Sequence, residues 1–265
     1  MTNEAIHRCS FVVRHSSFVI FKPMDRMIFT AMSGAQATLQ RQEVLANNLA
    51  NVSTNGFRAE MAAFRAVPVR GDGASTRVFA LESTVGHDIA PGPVRVTGRA
   101  LDVALQGHAW LAVQAGDGTE AYTRAGALAV DAEGNLVTQT GRAVVGEGGP
   151  ISLPANALVA IASDGTVSAS VGGASNVVGR LKLVTPEQPL RRGDDGLFRA
   201  ADGELPSDPS ARVQDGALEG SNVSAVETMV AMISAARQFE AQMKLLQTAE
   251  RQEQQAMRLL TPNGM

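Results

Sequence analysis

An α+β fold, with a central antiparallel β domain between N- and C-terminal α-helices that pair as a coiled coil on assembly, is predicted by three features of the 265-residue sequence. Long stretches at both ends repeat apolar residues at helical spacing. The middle replaces that pattern with short β-branched runs. Gly and Asp turns separate those runs. The expected divisions are 24–60 for the N-terminal helix, 61–94 for a connector, 95–205 for the β-rich domain, 206–222 for a second connector and 223–262 for the C-terminal helix.

Residues 1–23 do not share the pattern that begins at Met24. A signal peptide needs a basic start, an unbroken apolar stretch and small residues at a cleavage site. Here Glu4 sits in the region that should be basic, Arg14 and His15 interrupt the apolar stretch, and Lys22-Pro23 stands where small residues belong. The stretch is expected to be a non-native leader, with the natural start at Met24.

From Ile28 a 3-4 spacing selects Ile28, Met32, Ala35, Leu39, Gln42, Ala46 and Leu49, a narrow stripe broken only by Gln42. Asn55-Gly56 then supplies residues that tolerate the left-handed region and can end a helix. The next stretch, rich in Gly, Pro, Ser and Asp, is expected to be a connector.

In the middle, strands are expected at Leu101 to Leu105, Trp110 to Gln114, Ala127 to Asp131, Leu136 to Gln139, Leu158 to Ala162, Thr166 to Ala169 and Arg180 to Val184. Turns are expected at Gly116-Asp-Gly118, Glu133-Gly-Asn135, Asp164-Gly165 and Asp194-Asp-Gly196. Trp110 and Tyr122, each the sole member of its kind, belong to the β core on this reading.

Ser224-Ala-Val-Glu227 is a capping box ahead of a long periodic run, so a helix should begin there. Its heptad pairs read Met229/Met232, Ala236/Phe239, Met243/Leu246, Glu250/Glu253 and Met257/Leu260. Helical from Ser224 to Leu260, it is about 55 Å long at about 1.5 Å rise per residue. That stripe greatly outruns the N-terminal one, and the surplus needs another partner.

The composition also narrows the function. A formal charge of −3 provides no basic field for nucleic acid or an anionic membrane. The longest apolar run, the six residues from Ala157 to Ala162, falls far short of a bilayer span. One cysteine, Cys9, precludes an internal disulfide framework. The four histidines have no metal-ligand spacing, and the familiar hydrolase and nucleotide signatures do not occur. His87-Asp88 reads as a polar loop pair and Asp194-Asp195-Gly196 as a turn. No catalytic, cofactor or metal site is nominated.

Ala46-Asn-Asn-Leu-Ala-Asn51, succeeded by Thr54-Asn-Gly-Phe57, resembles the N-terminal signature of the bacterial flagellar rod and hook proteins. Leu218-Glu-Gly-Ser-Asn-Val223, and the helix carrying Met229, Met232-Ile233, Arg237 and Phe239-Glu240, resemble that family's C-terminal segment. Further segments, among them Phe64-Arg-Ala-Val-Pro-Val69, Tyr122-Thr-Arg124 and Gly179-Arg-Leu-Lys-Leu-Val184, are similar to its proximal-rod members.

The resemblance implies a structural subunit of the flagellar basal-body proximal rod, lying in the periplasm, without cofactor or membrane insertion. The partners it implies are other rod subunits, homologous or identical, and the flagellar type III export apparatus, which passes the chain without a cleaved signal. The assembly interface would comprise Ile28, Met32, Leu39, Ala46 and Leu49, the motif residues Asn47, Asn48, Asn51 and Phe57, and, at the other end, Asn222 and Val223. Met229, Met232, Ile233, Phe239, Met243 and Leu246 complete it on the last helix. The termini would order mainly on assembly, because exposed apolar stripes are a hazard in a free monomer. A distal rod or hook protein is the alternative within the family. A cell-wall-acting enzyme outside the cytoplasm is the alternative outside it.

Overall fold

The computed structural model describes residues 23–68, 78–201 and 203–260. The expected leader lies outside them, apart from Pro23 at the first helix's start. Helix α1 spans Pro23–Ala50 and helix α2 spans Ala225–Leu260. At about 1.5 Å per residue they are about 42 and 54 Å long. Ser224 sits at the N-cap of α2, its Oγ accepting from the Glu227 amide at 3.5 Å, as the capping box predicts.

Between the helices the chain forms short strands. The first two, β1 (Glu60–Pro68) and β2 (Val78–His87), pair antiparallel as a long arm beside α1. Next come β3 (Val94–Val96), β4 (Val103–Leu105), β5 (Trp110–Gln114) and β6 (Glu120–Thr123), the last two joined through the Asp117-Gly118 turn. Two small pairs come after them, β7 (Leu128–Val130) with β8 (Leu136–Thr138) and β9 (Val145–Gly146) with β10 (Gly149–Pro150). A three-stranded antiparallel sheet joins β11 (Leu158–Ile161), β12 (Thr166–Val171) and β13 (Ala174–Arg180). After β14 (Leu183–Val184), β15 (Arg191–Arg192) and β16 (Phe198–Arg199) complete a five-stranded sheet in the order β14-β5-β6-β16-β15. Finally β17 (Val213–Asp215) pairs with β4 and β18 (Ala217–Glu219) with β3.

The four expected turns all fall between paired strands. Their carboxylates explain why: Asp117 and Asp164 accept from the amides of Thr119 and Thr166, and Asp131 from that of Asn135, closing each turn locally. These hydrogen bonds hold all three carboxyls below their ordinary range, the side-chain bond from Thr119 leading for Asp117 and the backbone bonds for the other two.

Strand β5 reads Trp-Leu-Ala-Val because both its faces are covered. Leu111 and Val113 enter one core with Val103, Leu128 and Leu136; Trp110 and Ala112 enter a second with Tyr122, Leu190 and Phe198. Trp110 and Tyr122 are thus core residues. The Trp110 and Phe198 rings lie 4.6 Å apart. The Tyr122 hydroxyl donates to Glu120 at 2.8 Å and accepts from the Leu205 amide at 2.7 Å. Burial is the main reason its ionisation is pushed well above the ordinary tyrosine value.

Both expected connectors require correction. Residues 61–94 hold nearly all of the β1–β2 arm, and 206–222 hold β17 and β18. The arm escapes the sequence pattern because Met61 and Phe64 stay exposed, so no alternation of buried and solvated residues marks β1. Strands β17 and β18 escape it because each has three residues, joined by Gly216 at φ 62°. Strands β17 and β18, from beyond 205, thus pair with β4 and β3 of the β region, while β1 and β2 pair with each other as a separate two-stranded sheet.

Candidate assembly interface

Helices α1 and α2 pack side by side with opposite directions. Ile28 and Ala31 share a cleft with Leu245, Leu246 and Ala249, Gly34 faces Gln242, and beyond the other ends the Asn222 amide donates to the Phe57 carbonyl at 3.3 Å. Small residues form the contact. Ala35 and Thr38 of α1 and Thr228, Ala235 and Ala249 of α2 are buried. A Cβ at Gly34 would stand 2.8 Å from the Gln242 amide nitrogen, the far end of a flexible side chain that can move aside. Each threonine hydroxyl donates to its own helix, Thr38 to the Gly34 carbonyl and Thr228 to that of Ser224, both at 2.8 Å. That spends the polar group within the helix and leaves the methyl for packing.

The seam differs from the heptad expectation by one residue. Met232, Phe239 and Leu246 are half-buried as paired members should be, but 228, 235 and 249 are buried where the heptads point to 229, 236 and 250. Steric size decides this: helices approach as closely as the side chains between them permit, and alanine and threonine permit more than methionine. The consequence is that large apolar residues point outward. Phe29, Met32 and Leu39 on α1 are exposed, as are Val226, Met229, Val230, Ile233, Met243 and Leu245 on α2. The steps from 226 to 230 to 233 make a stripe along one helix face. Val226, Val230 and Leu245 do not stand out in the sequence, because its heptad frame falls one position late.

The asparagine motifs behave differently from the stripes. Asn48 is only 6% exposed; its Oδ1 accepts from the Glu60 amide at 2.8 Å and its Nδ2 donates to the Glu60 carbonyl at 2.9 Å. One side-chain amide thereby plays a neighbouring strand for the start of β1. Asn47 donates to the Glu60 carboxylate, and Asn51 donates to Asn47 while accepting from Thr54. Asn222 accepts from the Ala59 amide at 2.7 Å and donates to the carbonyls of Asp88 and Ala90. Phe57 is buried under the Arg192 guanidinium, 4.7 Å from its ring centre. Asn48, Phe57 and Asn222 are engaged within the chain. They fasten the helix pair to the arm and the β domain. Ile28, Leu49 and Val223 are half-buried, and Ala46 is exposed.

The same junction contains buried charge. Glu219 accepts from Arg58 at 2.7 Å through Oε1, from Arg124 at 2.7 Å through Oε2, and from the Gly92 amide at 2.9 Å. Arg124 also donates to the carbonyls of Leu105, Gly107 and Ala109. Burial lowers the pKa of Arg124, and the Glu219 carboxylate opposes that shift. The Nε and Nη1 of Arg58 are buried without a hydrogen-bond partner among the described residues. Nearby, Arg192 donates to Glu60 at 2.6 Å, and His87 meets the Phe198 ring edge-on at 4.7 Å. Burial first, then the charges of Arg192 and Arg58, lower the His87 pKa below its ordinary value, with Glu60 opposing them. A lone charged residue inside Tyr-Thr-Arg124 or Leu-Glu219-Gly is the available sequence signal, but partners this far apart in the chain cannot be matched from one sequence.

Among the described residues, no group of three or more His, Cys, Asp or Glu is placed to hold a metal ion. No described helix is long and apolar enough to cross a membrane.

Two terminal helices with an outward apolar face, locked to a β domain, fit a structural subunit of the flagellar rod and hook class. Sequence comparison bears this out along the chain: residues 28–58 match the family described as flagella basal body rod protein, 104–169 the flagellar hook protein FlgE/F/G D1 domain, and 214–259 the flagellar basal body rod FlgEFG protein C-terminal family. The chain is 50% identical to the flagellar basal-body rod protein FlgF of Salmonella typhimurium over 90% of this chain and 99% of that one. It is 49% identical to FlgF of Escherichia coli over the same shares. With FlgG of Agrobacterium fabrum the identity is 33%, over 85% of this chain and 95% of that one. The chain belongs to the flagellar basal-body rod proteins, and it is a structural subunit of the basal body.

Proposed function

We propose that the chain is a subunit of the proximal part of the rod, and that it joins neighbouring rod subunits, homologous or identical, through its terminal helices. The observation that carries the second half is the exposed apolar surface of both helices: the intramolecular seam uses Ala, Gly and Thr and leaves Met229, Val230 and Ile233 exposed on α2, and Met32 and Leu39 exposed on α1. An apolar strip of this extent is stable when another surface covers it. The proximal position is supported by similarity, since the Salmonella and Escherichia FlgF relatives, at 50% and 49%, are nearer in identity than the Agrobacterium FlgG, at 33%.

The subunit acts mechanically and not as a catalyst. It lies in the periplasmic part of the basal body and arrives through the flagellar export apparatus without a cleaved signal. Electron microscopy of isolated basal bodies carrying a tagged subunit tests this reading. Density for the tag in the membrane-proximal rod is expected; density in the distal rod or hook would contradict it.

A further inference from the structure

We propose that Asn55 is a self-modification site that folding switches off: in the unfolded chain the Gly56 backbone nitrogen attacks the Asn55 side-chain amide, and in the folded chain that nitrogen is withheld. The inference stands on the junction's geometry and does not depend on the rod assignment.

The chemistry belongs to the dipeptide. Glycine carries no Cβ to obstruct its nitrogen and leaves the backbone free to turn toward the preceding side chain. The bond formed is between the Gly56 nitrogen and Asn55 Cγ; the bond broken is Cγ–Nδ2, and Nδ2 departs as ammonia with the proton that the Gly56 nitrogen gives up. Water then adds to either carbonyl of the five-membered imide, leaving aspartate or isoaspartate at position 55. No oxidant, metal or other protein is required.

The fold obstructs the first step. The Gly56 amide donates to the Glu219 carbonyl at 2.8 Å, the carbonyl of the residue that holds the two buried arginines. Gly56 has φ 69° and is packed so tightly that a Cβ would lie 2.3 Å from the Arg124 carbonyl carbon. Swinging its nitrogen toward Asn55 therefore means opening the junction. Reaction in the native state is limited to the fraction of time the junction is open.

The product is also disfavoured once made. Asn55 Oδ1 is buried with no hydrogen-bond partner among the described residues, and Asn55 lines the same cleft as Asp102 and the Arg99 that already pairs with it. An aspartate there places a second carboxylate in that cleft, and isoaspartate adds a backbone carbon just before the Gly56–Glu219 bond. A chain left unfolded long enough thus becomes marked and cannot rebuild the junction as before.

Full-length protein incubated at mildly alkaline pH, native or in concentrated urea, is monitored by peptide mass spectrometry. Asn263-Gly264, the same dipeptide, serves as the reference in urea. The two asparagines are expected to convert at comparable rates in urea, with Asn55 at least about tenfold slower in native protein than in urea. Equal native and urea rates at Asn55, or its inertness in urea while Asn263 reacts, overturn the proposal. Asn55→Asp made directly should lower the unfolding midpoint further than Asn55→Ser; equal midpoints would overturn the claim that the product is disfavoured.

Discussion

Arg58 and Glu219, 161 residues apart in the chain, form an ion pair of 2.7 Å in which each side chain is 1% exposed. One lies just after the N-terminal helix and the other just before the C-terminal helix. Arg124, from the β domain, takes the second carboxylate oxygen. The contact is where three parts of the chain are fixed together, and removing its members should not have equal effects. Glu219→Gln leaves two buried guanidinium groups without a counter-charge and should cost about 3–5 kcal/mol. Arg58→Met leaves Glu219 with Arg124 and the Gly92 amide, and removes two donors that have no partner, so it should cost less, about 1–3 kcal/mol. Urea unfolding of both variants checks the order.

Glycine substitutions at the junction separate backbone strain from collision. Gly56→Ala meets both, with φ 69° and a backbone carbon 2.3 Å from the new Cβ, and should cost about 2–4 kcal/mol. Gly98→Ala has φ 72° but open space around it, so only the left-handed strain of about 1–2 kcal/mol applies. Thermal unfolding of the pair measures the difference.

Asn48 tests the link between α1 and the arm. Asn48→Asp keeps an acceptor for the Glu60 amide but turns a donor into an oxygen facing the Glu60 carbonyl, leaving that carbonyl without its partner. Amide hydrogen exchange should accelerate along β1 with little change in β5 and β6. Uniform acceleration across all strands would show that the asparagine supports the whole fold instead.

His87 gives the junction a pH dependence with a definite sign. Its pKa is lowered from 6.5 in the folded chain, so the unfolded chain binds the proton more readily. The contribution to stability is complete above 6.5 and is lost as pH falls below it toward the lowered folded value. Between about pH 7.5 and about pH 5 the melting temperature should fall, and His87→Phe, which preserves a ring against Phe198, should reduce that fall.

The legible parts of this fold are those whose determinants are local. The Ser224 cap, the Asp-Gly turns and the Trp110 to Gln114 strand can each be read from a few neighbouring residues. The helix seam is legible as a period but not as a phase, because Met229 looks more like a seam residue than Thr228 does until Gly34 and Ala35 bring α1 close. The arm and the Glu219 cluster are not legible, since their partners lie far along the chain or their faces remain in solvent. The asparagine motifs stand out by resemblance; their hydrogen bonds show them fastening the chain to itself.

Assembly through the outward helix face is tested most directly by Ile233→Asp, a change at a residue 55% exposed in the monomer and outside the α1–α2 seam. Its unfolding free energy should shift by less than about 0.5 kcal/mol. The measurement is the amount of the variant recovered in isolated basal bodies, beside its own unfolding curve. A normally folded subunit that is missing from the rod is the expected result. Recovery at the wild-type level would contradict assembly through this face.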